Sequence, residues 1–409
     1  MQIIIYSYMI TLKDIQEAKQ TLTGVVHYTP LAHAPILSKE LNANIYLKKE
    51  NLQLTGSFKL RGAFNKIASL NEKEKELGVV AASAGNHAQG LAYSANYYKI
   101  DATIIMPEAT PLTKVSGVKS YGADVILHGA NYDEAYEFAT NYAIENNKTF
   151  VHPFADDTVI AGQGTVALEI LEQLDYIDTI IIPIGGGGLI SGMAVAIKEL
   201  KPNIKIIGVV AQGANAMRNS YLNKKILNSK AVKTIADGIA VRDVTPRMLD
   251  YTISLVDEIV EVEDKEIASA ILFLLEKQKI VVEGAGAVGL AAIMHDKIDI
   301  KNKTVVLPLS GGNIDVTMLS LIIEKGLVKS NRKMNMIVTL IDKPGSLMKL
   351  TDIFTLNDAN IVQIDYDRNS VQLDFGEANV TIGIETKGEE HQNIIRKKLN
   401  YNGYRFKEI

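Results

Sequence analysis

The chain alternates short apolar runs with segments of helical periodicity, and this alternation limits its possible folds more than any other feature. Most of the runs are apolar at every position, and a strand of that kind is buried on both faces, as in parallel sheets covered by helices. The sequence therefore predicts an α/β protein through about residue 328. The predicted strands are residues 44–47, 78–81, 102–106, 124–127, 179–184, 204–210 and 304–309.

The pattern changes once, at the polar segment 329–333. The order of elements after it is strand, helix, strand, strand, helix, strand, a βαββαβ unit that differs from the preceding alternation. We therefore predict a separate small domain over residues 334–409. Its predicted elements are strands at 334–341, 360–367, 378–385 and near 404–406, helices at 346–356 and 389–399, and a turn at 342–345.

The composition excludes several classes of partner. Lys and Arg total 43 against 47 Asp and Glu, the net charge is -4, and no basic cluster occurs, so neither nucleic acid nor a membrane surface is expected. The absence of cysteine excludes disulfides and thiol chemistry and favours a reducing cytoplasm. The apolar start, residues 1–6, is too short for a signal peptide, and Met9 is a second candidate start.

Lys59 is the first candidate for chemistry. It follows Ser57 and Phe58 at the point where a helical apolar pattern begins. Most lysines are solvated surface charges, but a lysine in this position is held at the start of a helix. A held lysine amine can form a Schiff base with a carbonyl compound.

A run of four glycines, Gly185, Gly186, Gly187 and Gly188, follows an apolar strand, and Leu189 is expected to open the next helix. Four glycines in a row are expected to serve no packing purpose, and they cost chain entropy. Backbone N–H groups at such a junction can bind a phosphate, and the spacing fits neither a dinucleotide nor a nucleotide motif. A lysine together with a site for one phosphate suggests pyridoxal 5'-phosphate.

A third motif lies between the predicted strand 78–81 and a helix, and its residues are Ser83, Ala84, Gly85, Asn86 and His87. We expect it at the carboxyl edge of the sheet, where α/β proteins bind ligands. An ordinary turn between a strand and a helix would have a similar sequence.

A competing motif, Gly284, Gly286 and Gly289, matches the Gly-x-Gly-x-x-Gly dinucleotide pattern after the apolar run 280–282. A nicotinamide cofactor needs a carboxylate at the end of the next strand, where this chain has Ser310. Close helix packing explains these glycines as well, so dinucleotide binding is not expected. The histidines lack metal-ligand spacing and no metal site is expected.

These motifs closely resemble those of the threonine dehydratase (threonine ammonia-lyase) family of fold type II pyridoxal-phosphate enzymes. The matching segments, in the family's order, are residues 29–31, 56–63, 83–90, 185–189, 236–238, 283–287 and 310–313. The resemblance implies a tryptophan-synthase-β-like catalytic domain over 1–328, with two parallel-sheet subdomains, the smaller at roughly 55–155. Residues 334–409 resemble an ACT domain.

The resemblance also implies a role for each candidate residue. Lys59 would hold pyridoxal phosphate as a Schiff base and, once freed, remove the α-proton of the substrate. Phe58 would lie against the cofactor ring, Asn86 would bond its hydroxyl and Ser310 its pyridine nitrogen. The phosphate would be bound by Gly185, Gly186, Gly187, Gly188 and Leu189, and the substrate carboxylate by Ser83, Ala84, Gly85, Asn86 and His87.

The implied reaction is elimination from L-threonine to 2-oxobutanoate and ammonia, with L-serine to pyruvate as a side activity. It would serve isoleucine biosynthesis or threonine catabolism in the cytoplasm. A homo-oligomer, dimer or tetramer, would respond to an amino-acid or nucleotide effector bound by the C-terminal domain. Two alternatives stay open. A serine racemase would need a serine at Ala84, and a non-enzymatic amino-acid sensor would not need Lys59 or the glycine run.

Overall fold

The computed structural model describes residues 9–371 and 373–409, so the apolar start at residues 1–6 lies outside the described residues. The strands of the first part of the described chain are β1 (Leu31–His33), β2 (Asn44–Lys48), β3 (Val79–Ala82), β4 (Ala102–Met106), β5 (Asp124–Leu127), β6 (Thr149–Phe150), β7 (Thr179–Pro183), β8 (Lys205–Ala211), β9 (Glu258–Val262) and β10 (Thr304–Pro308).

Helices connect most of these strands. They are α1 (Leu12–Leu22), α2 (Pro35–Leu41), α3 (Lys59–Ala68), α4 (Glu72–Leu77), α5 (Asn86–Tyr97), α6 (Leu112–Ser120), α7 (Tyr132–Glu145), α8 (Asp157–Gln173), α9 (Gly188–Leu200), α10 (Ala216–Asn223), α11 (Pro246–Leu255), α12 (Asp264–Phe273) and α13 (Gly284–Met294).

The larger sheet has the strand order β1-β2-β10-β7-β8-β9. Its strands are parallel except for the short edge strand β1, which runs antiparallel to β2. Every residue of β7 and β10 is buried, because helices cover both faces of these central strands. Helices α8 and α9 pack with β7 and α1 into an extensive apolar core.

The smaller sheet has the order β5-β4-β3-β6, all parallel. Alternate residues of β3 face opposite layers: Val79 and Ala81 pack in one core with α5, whereas Val80 and Ala82 pack in another with α7. The two parallel sheets confirm the α/β fold class predicted from the apolar runs.

The chain divides into two compact units between Asp315 and Val316. The second unit contains α14 (Val316–Lys329), β11 (Lys333–Ile341), α15 (Ser346–Thr355), β12 (Asn360–Asp367), β13 (Glu377–Glu385), α16 (Glu389–Tyr401) and β14 (Arg405–Glu408). Its antiparallel sheet, of order β12-β13-β11-β14, buries alternate residues of β11 against α15 and α16. This βαββαβ arrangement is ACT-like, as predicted.

The structure differs from the sequence prediction in three short strands and one apolar run. β1, β6 and β9 were not predicted, since β1 and β6 have only three and two residues and β9 carries glutamates. Residues 280–282 form no strand, so the βαβ unit of a dinucleotide site is missing before Gly284. Within the described ranges, no helix has the length and apolarity required to cross a membrane.

Candidate active site

Lys59 is the first residue of α3, and the backbone in front of it is held by the segment after β10. The amide of Phe58 donates to the Ser310 carbonyl at 3.1 Å, and the Gly56 carbonyl accepts from the Gly312 amide at 2.9 Å. Gly56 has a φ of +72°, and a Cβ there would lie 2.3 Å from the Asn313 side chain. The start of α3 therefore has a fixed place at the carboxyl edge of the larger sheet.

The Lys59 side chain is partly buried. Its Nζ donates to the Pro153 carbonyl at 2.8 Å and lies 5.5 Å from the Phe58 ring centroid. Burial lowers the pKa of Lys59 to about 8, although the nearby Glu283 carboxylate acts in the opposite direction. A lysine with a lowered pKa is more often neutral near pH 7, as a nucleophile or a general base must be.

The glycine run joins β7 to α9. The helix begins at Gly188, with Gly187 as its N-cap at φ +99°, rather than at Leu189 as predicted. The first main-chain bond of the helix runs from the Ser191 amide to the Gly187 carbonyl. The amides of Gly188, Leu189 and Ile190 thus have no intrahelical acceptor and can bind an anion such as a phosphate.

The expectation that the four glycines serve no packing purpose was wrong. Each has a neighbour so close that a side chain would collide with it or press hard on it. A Cβ would lie 2.9 Å from Ile239 at Gly185, 2.4 Å from the Phe154 ring at Gly186, 3.2 Å from Met248 at Gly187 and 3.1 Å from the Phe154 backbone at Gly188. Glycine is needed at these positions for two reasons: it leaves backbone amides accessible to a ligand, and it allows the neighbouring residues to approach the backbone closely.

The loop from Ser83 to Asn86 leaves β3 at the carboxyl edge of the smaller sheet. The Gly85 amide donates to the Ser83 hydroxyl at 3.3 Å, and α5 begins at Asn86. A Cβ at Gly85 would meet nothing within 4 Å, so this side of the loop is open. Ala84 is partly buried and packs against the core of the smaller sheet.

The His87 side chain turns away from the open side of this loop. It is 3% exposed, and its Nε2 lies 3.1 Å from the Val151 carbonyl. Burial and then the charge of Lys59 lower the pKa of His87 to about 3, so the ring is neutral. Only the backbone amide of His87, in the first turn of α5, remains suited to an anionic substrate group.

Glu283 is a site residue that the sequence prediction missed. Its Oε1 accepts from the Asn86 amide at 2.7 Å, and the Asn313 amide donates to Asn86 Oδ1 at 2.7 Å. Burial raises the pKa of Glu283 to about 7. The available signal was a glutamate between an apolar run and a glycine motif, which alone does not distinguish a site from a helix start.

These groups fit pyridoxal phosphate. Lys59 would supply the amine, the amides at the start of α9 would supply a phosphate site, and the buried Ser310 lies at the carboxyl end of β10. The buried hydroxyl of Ser57, two residues before Lys59, has no hydrogen-bond partner within the described part of the chain. The same described residues contain no group of three or more His, Cys, Asp or Glu side chains able to hold a metal ion.

Comparison with known proteins agrees with this fit. Residues 22–311 match the family of pyridoxal-phosphate dependent enzymes. The L-threonine ammonia-lyase of Thermotoga maritima is 48% identical over 396 residues, which cover 97% of this chain and 98% of that protein. Threonine deaminase isoform 2 from Solanum lycopersicum has a TM-score of 0.73 and 37% identity, over 78% of this chain and 87% of that one. Maize serine racemase has a TM-score of 0.74 and 34% identity, over 79% and 100%.

The fold and the site together define a pyridoxal-phosphate-dependent enzyme of fold type II. The relative from Thermotoga maritima matches nearly the whole chain, including most of the second unit. Within that class, the chain belongs to the threonine ammonia-lyase family.

Proposed function

We propose that this protein converts L-threonine to 2-oxobutanoate and ammonia, with L-serine as a secondary substrate that yields pyruvate and ammonia. The β-hydroxyl leaves as water, and one water is taken up again when the resulting enamine hydrolyses and releases ammonia, so the net change is the loss of ammonia. The observation that carries the proposal is the Lys59 amine, partly buried at the start of α3, bonded to the Pro153 carbonyl and with a lowered pKa. Relatives matched over nearly the whole chain are L-threonine ammonia-lyases. Serine lacks one methyl group, a difference worth about 1 to 3 kcal/mol in a pocket, so both substrates are expected to react.

Each proposed residue has a chemical task. When bound, pyridoxal phosphate withdraws electrons from the α-carbon of the substrate. Lys59 removes the α-proton, and its lowered pKa leaves a useful neutral fraction at neutral pH. The open amides near Gly85 orient the substrate carboxylate. Ser310 offers a hydroxyl to the cofactor ring, and a hydroxyl stabilises positive charge on the ring less than a carboxylate would.

The substitution Lys59→Ala tests the proposal, with Lys66→Ala as its control on the same helix. Lys66 pairs with Asp156 at 2.8 Å and has no role in the proposed chemistry. We expect Lys59→Ala to lose the absorbance of covalently bound cofactor and turnover by at least about 10² to 10⁴-fold, since the α-proton base is lost. Turnover of threonine near that of the parent in Lys59→Ala would contradict the proposal.

Serine racemisation is the second candidate, because solved serine racemases are similar to this chain. Racemisation needs an acid or base on the face of the substrate opposite Lys59. The expected position for it holds Ala84, whose methyl group cannot transfer a proton. This favours elimination over racemisation.

The second unit is proposed to be regulatory. It has its own apolar core, and all the proposed cofactor and substrate residues precede residue 314. An amino acid or a nucleotide bound there would act by favouring one arrangement of a homo-oligomer, with a coupling free energy of about 1 to 3 kcal/mol. The protein is proposed to work in the cytoplasm, because a chain without cysteine forms no disulfides and needs no oxidising compartment.

A further inference from the structure

Four ionisable side chains form a buried cluster beside the start of α3, and none has a role in the proposed chemistry. Lys48, Glu50 and Arg61 have no exposed surface, and Glu169 is 5% exposed. We call these four residues the Arg61 clamp. With two cations and two anions the clamp has no net charge when all its members are ionised.

Arg61 is at the centre of the clamp and binds both carboxylates in a forked geometry. Its Nε and Nη2 donate to Glu50, both at 2.8 Å. Its Nη1 and Nη2 donate to Glu169 at 2.6 and 3.0 Å. A planar fork that is fixed on two sides determines orientation as well as distance, which a lysine ammonium cannot do.

The other members of the clamp are also fully bonded. Lys48 Nζ donates to Glu169 at 2.5 Å, to the Thr29 carbonyl at 2.7 Å and to Gln173 at 3.0 Å. The Thr29 hydroxyl donates to Glu50 at 2.5 Å. Buried ion pairs often add little net stability compared with apolar side chains. The contribution of these ion pairs is a defined geometry around Arg61.

The clamp connects the first turn of α3 to two other elements. Arg61 follows Lys59 by two residues, Glu50 lies two residues after the end of β2, and Glu169 belongs to α8. Backbone contact between α3 and α8 reinforces the connection, because a Cβ at Gly162 would lie 2.6 Å from the Arg61 carbonyl. The start of α3 thus has little freedom to shift or rotate against α8.

Helix α8 makes an equally close contact with α9 on the other side. A Cβ at Gly192 of α9 would lie 2.3 Å from the Ile160 carbonyl of α8 and 2.7 Å from the Gly164 amide. One helix therefore determines the spacing between the helix that begins with Lys59 and the helix that begins at the phosphate site.

We infer that Arg61, held by Glu50 and Glu169, is a positioning residue that fixes Lys59 for proton removal. The inference rests on the proposed role of Lys59 as the cofactor lysine and α-proton base. Small displacements of a catalytic group reduce the rate strongly and affect substrate binding much less. Loosening the clamp is therefore expected to lower kcat more than it changes KM.

The test compares Arg61→Lys with Asn65→Ala in the cofactor-loaded enzyme. Asn65 also joins α3 to α8, since its amide donates to the Thr158 carbonyl at 2.8 Å, but it lies further along the helix and outside the clamp. Arg61→Lys is expected to keep the absorbance of covalently bound cofactor. Its kcat should fall by about 10- to 100-fold, with a larger isotope effect for L-threonine deuterated at Cα, while Asn65→Ala keeps both values near the parent.

The inference is overturned if Arg61→Lys keeps the parent kcat and isotope effect, or if Asn65→Ala changes both to the same extent. If Arg61→Lys does not fold, Glu169→Gln decides: a lowered kcat with a raised isotope effect supports the inference, and parent values overturn it. A parent enzyme that does not convert threonine would instead overturn the proposed function, so the two failures are distinguishable.

Discussion

Neutralising Glu283 is expected to change how the stability of the cofactor-free protein depends on pH. Burial raises the pKa of Glu283 from 4.5 to about 7. Between these values the folded protein binds more protons than the unfolded chain, so stability falls as pH rises through this window. The stability present below pH 4.5 is lost above pH 7, and a difference of about 2.5 pKa units corresponds to about 3 kcal/mol.

The substitution Glu283→Gln removes the ionisation and keeps an oxygen that can accept from the Asn86 amide. Measured by urea unfolding from pH 5 to pH 8, the variant should gain stability relative to the parent as pH rises, by up to about 3 kcal/mol. Glu145→Gln, at an exposed glutamate that ends α7, is the control for a lost surface charge. Parallel stability curves for the parent and Glu283→Gln would refute the reasoning.

Two further predictions concern specificity and regulation. Ala84→Ser should produce measurable D-serine from L-serine at some cost to elimination, as followed by chiral chromatography, because it would add a hydroxyl at the position that we propose faces the substrate opposite Lys59. A chain cut after Asp315, where the two compact units divide, should keep its cofactor and turnover of threonine. It should lose any response of the rate to isoleucine, valine or adenine nucleotides.

Each of these predictions has its own control. Ala84→Gly alters the same loop without adding a hydroxyl and should form no D-serine, and the absence of D-serine from a cofactor-loaded Ala84→Ser would show that Ala84 does not separate the two reactions. For the cut chain, full sensitivity to an effector would argue against a regulatory second unit. So would an intact chain that binds neither amino acids nor nucleotides.

The apolar runs were sufficient to predict the long buried strands. The bounds of β4, which is buried at every position, agree with the sequence prediction residue for residue, and so do those of the mostly exposed strand β12. β1 and β6 are too short to show a period. In β9, Glu258 and Glu261 interrupt the apolar character, so its place beside β8 depends on tertiary packing.

The site was less accessible to sequence reasoning, because several of its contacts use groups with no sequence signature. The partner of Lys59 is a backbone carbonyl, that of Pro153, and any residue type could supply it. The sequence predicts only the phosphate site at the glycine run. It does not reveal the packing role, because the neighbours Phe154, Ile239 and Met248 are distant in sequence. The ion pairs of Arg61 could not be predicted either, because nothing in the sequence distinguishes Glu169 from other helical glutamates.

The pairing of β2 with β10 also has a consequence for how the protein is made. Asn44 pairs with Thr304 in this parallel register, so the middle of the larger sheet joins chain segments synthesised far apart in time. Contacts between such distant segments form slowly in folding. Phe58, next to Lys59, bonds to Ser310, and the cofactor pocket is therefore incomplete until the ribosome has passed residue 310. Until β10 is made, β2 and β7 lack the strand that joins them in the sheet, so each leaves one edge without its neighbour during synthesis.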